Sequence, residues 1–102
     1  MLNQLLQSNL HKIEELCRAN GVIRLDVFGS VLTEDFGAES DVDFLVLFRR
    51  DAQTNAFHQY FDFKEALESV LGRKVDLVCE NAIRNPYFKQ EVEETRKPLY
   101  AA

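Results

Sequence analysis

Two apolar runs, Val22–Phe28 and Asp41–Phe48, stand twelve residues apart in a chain of 102, and that spacing limits the fold more than any other feature. Both are short and rich in β-branched and aromatic residues, which is the composition of strands. The connection is too short for an ordinary parallel crossover, so the two strands pair antiparallel. The first run stops at Gly29-Ser30, where the chain can turn without steric conflict. A short helical turn starting at Val31, with Ser30 as its N-cap and Gly37 closing it, would aim backbone N–H groups and the Ser30 hydroxyl at one point. An anion is the expected occupant.

The second run reads DVDFLVLF and is apolar after its first three residues. Strand periodicity turns Asp41 and Asp43 to one face, with Cα atoms roughly 6.6 Å apart, so their carboxylates can converge on one cation. Hard oxygen ligands, completed by phosphate oxygens and water, point to Mg²⁺ rather than to zinc or copper. The competing reading makes Ser40-Asp41 a turn and Asp43 a solvated edge residue. A third carboxylate weighs against it. Asp76 is the single Asp inside the strand-like run Arg73–Cys79, a poor place for an unpaired charge. If that strand lies beside the Asp41 strand, Asp76 joins the cluster, and the trio reads as catalytic and metal-binding.

Gly29-Ser30, ten intervening residues, Asp41-Val42-Asp43, and Asp76 on a later strand resemble the minimal nucleotidyltransferases of the DNA polymerase beta superfamily. Within it the chain is most similar to the small antitoxins paired with HEPN-domain RNases. The resemblance runs from about Val22 to Cys79 and more loosely to the end of the chain. It implies that Asp41 and Asp43 bind Mg²⁺, that Asp76 stands near the attacking hydroxyl, and that Gly29 and Ser30 hold the triphosphate of an NTP, with ATP as the donor of AMP. It also implies a partner, a HEPN-type RNase toxin joined in a hetero-oligomer and silenced by transfer of AMP to a tyrosine hydroxyl. Many relatives carry arginines just after the Gly-Ser pair, where this chain has Val31, Leu32 and Thr33. That departure favours a rival reading, in which the chain neutralises its partner by occlusion alone. A third reading is a small-molecule transferase completed by a separate subunit.

Twelve basic against seventeen acidic residues give a net charge of −5, with no Lys/Arg run longer than two. Direct nucleic-acid binding, which needs several phosphate-facing cations on one surface, is therefore not expected. No segment reaches the ~20 apolar residues of a membrane span, and the start lacks a cleavage-site pattern, so the expectation is a cytoplasmic protein without a membrane partner. Cys17 and Cys79 read as reduced core residues.

Leu6, Leu10, Ile13, Leu16 and Cys17 recur at helical spacing between Asn3 and Asn20, with His11 beside them as a surface or boundary residue. A second helix, Ala56 to Leu71, has an unusually aromatic side containing Phe57, Tyr60, Phe61 and Phe63, mostly core but with part left for a partner protein. Its His58 and Lys64 are the polar residues that could approach a nucleotide, whereas Arg49 and Arg50 lie a strand's length from Asp41. Gly72 caps this helix. Pro86 opens a third, reaching to about Arg96 and ended by Pro98. Leu99-Tyr100 adds an edge strand or docks on the sheet, and Ala101-Ala102 fray. The expected fold class is α/β (α+β), a small mixed sheet flanked by helices, and the resemblance implies that residues 1–102 form one minimal nucleotidyltransferase domain.

Overall fold

Antiparallel pairing of the two apolar runs is the centre of the observed architecture. A computed structural model describes residues 3–33, 37 and 40–102, the Ser30 side chain excepted. In chain order the elements are α1 (Gln4–Ala19), β1 (Val22–Phe28), a 3₁₀ turn (Gly29–Leu32), β2 (Val42–Phe48), α2 (Ala56–Leu71), β3 (Val75–Cys79), a second 3₁₀ turn (Glu80–Ala82), α3 (Pro86–Thr95) and β4 (Lys97–Ala101). The four strands form one mixed sheet in the order β3-β2-β1-β4. β1 is antiparallel to both β2 and β4, and β2 is parallel to β3.

The helices start and stop where side chains satisfy their free ends. Asn3, Asn55 and Asn85 each accept from backbone N–H groups of the following first turn. Pro86 occupies the first turn of α3, where its missing N–H costs nothing. Alternation along the strands then sorts side chains to two faces. Val42, Phe44, Val46, Leu25 and Val27 meet Leu6, Ile13 and Cys17 of α1 and Phe63 and Leu67 of α2 in the larger core. On the other face α3 buries Val92 against Phe28 and Leu45. Burial pushes the Cys17 thiol up to about 12, and both cysteines are free.

Both sheet edges are blunted. Along β3, Glu68 accepts from Val75 N–H at 3.0 Å and the Tyr60 hydroxyl donates to the Leu77 carbonyl, while β4 carries Lys97 and Pro98. Three expectations change. The turn after β1 begins at Gly29 and ends at Leu32, so Gly37 does not close it; a left-handed glycine turns the chain directly off the strand, and 3₁₀ runs seldom exceed four residues. α3 stops at Thr95, before Pro98, which sits instead in the edge strand. Ala101 does not fray but pairs with Arg24, and Ala102 N–H donates to the Ile23 carbonyl at 2.8 Å. Among the described residues no helix is long and apolar enough to cross a membrane.

Candidate active site

Cross-strand partners in a sheet point to the same face, so the register decides which side chains can cooperate. Phe28 pairs with Asp43 and Asp43 with Asp76, giving one row across β1, β2 and β3. Behind it runs a row of Asp26, Leu45 and Val78. Asp41 lies two residues before Asp43, just outside the strand, and extends the face towards its open end. α3 covers the Leu45 row, and its Phe88 ring meets Phe28 edge-on at 5.9 Å. The acidic row is therefore at the border of the covered region: Asp43 is half-buried, and Asp41 and Asp76 are exposed. Adjacent strands stand about 4.8 Å apart, so Asp43 and Asp76 are immediate neighbours at the backbone.

That exposure corrects one step of the sequence argument. Asp76 is not a charge enclosed by hydrocarbon, because β3 turns it to solvent. Burial cost does not single it out; register does.

Gly29 is fixed by the same row. Its φ is +80°, and a Cβ built on it would collide with Asp43 Oδ2 and stand 3.2 Å from Asp43 Cγ. Any side chain here would displace the carboxylate, so the glycine is required twice over. The Ser30 hydroxyl lies outside the described residues. Backbone N–H groups of a single 3₁₀ turn remain beside Gly29 for an anion, with far less summed dipole than an α-helix provides.

Arg73, which the sequence did not single out, meets the segment that leads into Asp41. Its Nη1 donates to the carbonyls of Gly37, at 2.7 Å, and Ser40, at 3.1 Å. Asp26 was missed too. It is 4% exposed, and Arg96 at the end of α3 bonds it while also reaching Glu80 at 2.7 Å and Glu93 at 2.9 Å. Arg24 joins from the next row through Glu80 at 2.5 Å. The Arg24 hydrogen bond, outweighing burial and aided by Arg96, holds the Glu80 carboxyl below the ordinary range. A lone Asp inside an apolar strand was the available signal.

The remaining polar candidates stand apart from the row. His11 is an exposed surface residue 3.0 Å from Glu15. Arg50 lies over the Phe48 ring and bonds Gln59, at the opposite end of β2 from Asp41. His58 is exposed at the start of α2, as is Phe57, which is 66% exposed; Lys64 is half-buried.

For a cation the donor set is chemically apt: all oxygens, with neither His nor Cys in the row. The missing Cβ of Gly29 leaves room for the Asp43 carboxylate, which stays half-buried in the row. Among the described residues, however, no group of three or more His, Cys, Asp or Glu side chains is disposed to hold a metal ion. The residues fit an open site, in which the protein offers one or two carboxylates and phosphate and water supply the remaining ligands.

Comparison with known proteins agrees with this geometry. The nucleotidyltransferase domain model matches residues 11–99. A Methanocaldococcus jannaschii chain assigned to the protein adenylyltransferases is 36% identical over 93 residues, covering 83% of this chain and 92% of that one. The protein adenylyltransferase MntA of Thermococcus cleftensis is 33% identical over 84 residues, covering 82% and 81%. Among solved structures, a minimal nucleotidyltransferase matches with a TM-score of 0.77 at 31% identity over 96% of each chain. A chain from the complex of a tri-AMPylated Shewanella oneidensis HEPN toxin with its MNT antitoxin gives a TM-score of 0.65 at 28% identity, covering 94% of this chain and 72% of that one. A match that begins inside α1, ends inside β4 and spans every residue of the acidic row places this chain in the nucleotidyltransferase domain family.

Proposed function

We propose that residues 1–102 form a single minimal nucleotidyltransferase domain acting as the antitoxin of a HEPN-type RNase toxin. It transfers AMP from ATP to a tyrosine hydroxyl of that partner and so silences it. The observation that carries this reading is the in-register pair Asp43 and Asp76 beside the Gly29 turn. Relatives that are protein adenylyltransferases, and a solved antitoxin complex holding AMP-PNP that matches with a TM-score of 0.71 at 28% identity, support it.

In this reading Asp41 and Asp43 hold Mg²⁺, which neutralises phosphate charge and lowers the barrier to in-line displacement when bound. The N–H groups at Gly29 and Ser30 hold the triphosphate. Asp76, exposed at the edge of the row, orients the acceptor hydroxyl and takes its proton as the oxygen attacks the α-phosphorus. The new P–O bond forms as the bond to the β-phosphate breaks, and pyrophosphate leaves. Since α1, α2 and α3 are all engaged in covering the sheet, the acceptor surface comes from the partner.

Val31, Leu32 and Thr33 in place of arginines, with the weak dipole of one 3₁₀ turn, favour a second reading in which neutralisation is by binding alone. One experiment separates them. The chain is incubated with Mg²⁺, labelled ATP and the purified RNase partner, alongside the D41A/D43A variant. Label on the partner that disappears in the variant, with RNase activity restored, supports transfer. Full neutralisation by the variant with no label moved refutes it.

A further inference from the structure

Asp41 precedes β2 by one residue and is exposed, so no strand ladder fixes it. Its two flanks are instead held by consecutive residues of the α2–β3 connection. On one side Arg73 Nη1 donates to the Ser40 carbonyl at 3.1 Å and to the Gly37 carbonyl at 2.7 Å. On the other, Val42 N–H donates to the Lys74 carbonyl at 3.0 Å. Gly37 and Ser40 also close on each other: Ser40 N–H reaches the Gly37 carbonyl at 3.2 Å, and Gly37 N–H reaches Ser40 Oγ at 3.0 Å. The guanidinium therefore grips both Gly37 and Ser40, the described residues just ahead of Asp41. The same connection leads two residues beyond Lys74 to Asp76, so one segment sets two of the three carboxylates.

We propose that Arg73 is a positioning residue for the site, fixing Asp41 relative to Asp43 and Asp76 and thereby setting cation affinity and turnover. This rests on the nucleotidyl-transfer reading given above. Hydrogen bonds from a charged donor are roughly twice as strong as neutral ones, and here they act on backbone carbonyls, so the hold is on the main chain. Partners that orient a ligand are expected to change metal affinity by about 10- to 100-fold when removed.

The test compares the wild type with Arg73→Met and Arg73→Lys. In Arg73→Met, amide exchange at Ser40 and Val42 rises by about tenfold or more while exchange in α1 and β1 is unchanged. Calorimetric affinity for Mn²⁺ falls roughly 10- to 100-fold, and AMP transfer requires correspondingly more Mg²⁺ with little change in KM for ATP at saturating metal. Arg73→Lys, which keeps the charge but not the fixed fork, recovers part of each. Unchanged exchange at Ser40 and Val42 overturns the proposal whatever the chemistry. Faster exchange with wild-type Mn²⁺ affinity overturns the link from Arg73 to the cation. A wild type that neither binds Mn²⁺ nor moves label sinks the nucleotidyl-transfer reading itself, with the exchange data still deciding whether Arg73 holds Ser40 and Val42 in place.

Discussion

Replacing Gly29 by alanine separates the two demands that the structure makes at that position. The first is backbone conformation: φ is +80°, a region that costs an L-residue about 1–2 kcal/mol. The second is space, because the new Cβ collides with the Asp43 carboxylate. Gly72 provides the control. Its φ is +66°, and a Cβ there meets nothing within 4 Å. Gly72→Ala carries the backbone cost alone, whereas Gly29→Ala must also push Asp43 off its rotamer, at about 0.5–1.5 kcal/mol for a ~30° displacement. In a domain of this size each kcal/mol lowers Tm by about 4–8 °C. Gly72→Ala should therefore lose about 4–16 °C, and Gly29→Ala about 2–12 °C more.

Activity distinguishes the two more sharply. Moving a reacting-centre ligand by about 1 Å can cost about 10²-fold in rate, so Gly29→Ala should lose AMP transfer to that extent while Gly72→Ala stays near wild type. Adding Asp43→Ala to Gly29→Ala removes the colliding carboxylate, and the excess destabilisation over Gly72→Ala should vanish. Thermal melts and a labelled-ATP transfer assay read both quantities. The reasoning is refuted if Gly29→Ala is no less stable than Gly72→Ala, or if its excess cost survives removal of Asp43.

Arg96→Met should cost about 3–5 kcal/mol in urea denaturation, because it strands the buried Asp26 charge; Arg96→Met/Asp26→Leu should regain most of that loss. A Met variant of wild-type stability would show that the pair is not holding α3 to the sheet. Glu80, whose carboxyl is held below its ordinary value of 4.5, contributes stability that is fully present above that value and lost as pH falls through the lower folded one. The Tm gap between wild type and Glu80→Gln should therefore be constant from pH 8 to 6 and narrow below about 4.5, a gap independent of pH being the contrary result.

The strands, both long helices and the antiparallel pairing were legible because each rests on periodicity or on a short connection, and both survive translation into three dimensions. The acidic row was legible as residues but not for the reason first available. A carboxylate alone in an apolar strand is costly when buried, but the edge position of β3 exposes Asp76. The cost falls on Asp26 instead, the buried carboxylate of the mostly apolar run Val22–Phe28. Arg24, Asp26 and Phe28 alternate onto one face, so counting by twos would have flagged it, although nothing local pairs Asp26 with an arginine seventy residues away. Arg73 was illegible for a similar reason. Its contacts are to backbone carbonyls, and these leave no trace in side-chain pattern.

Burial also decides what the aspartates can do. Asp26 is enclosed and takes Arg96 as its partner, so it is committed to holding α3 in place. Asp41 and Asp76 are exposed and have no ion-pair partner among the described residues. Two carboxylates spaced as Asp41 and Asp43 are, about 6 to 7 Å apart, repel each other in water by about 0.6 kcal/mol, rising to ~2.5 kcal/mol at an effective dielectric near 20. A cost of that size leaves the fold standing without a cation, yet it is relieved when one binds. Folding and chemistry are thus separable in this chain. Asp→Asn changes in the row reduce repulsion rather than empty the core, so loss of transfer in such variants reports on the reaction, and any neutralising power they retain reports on contact alone.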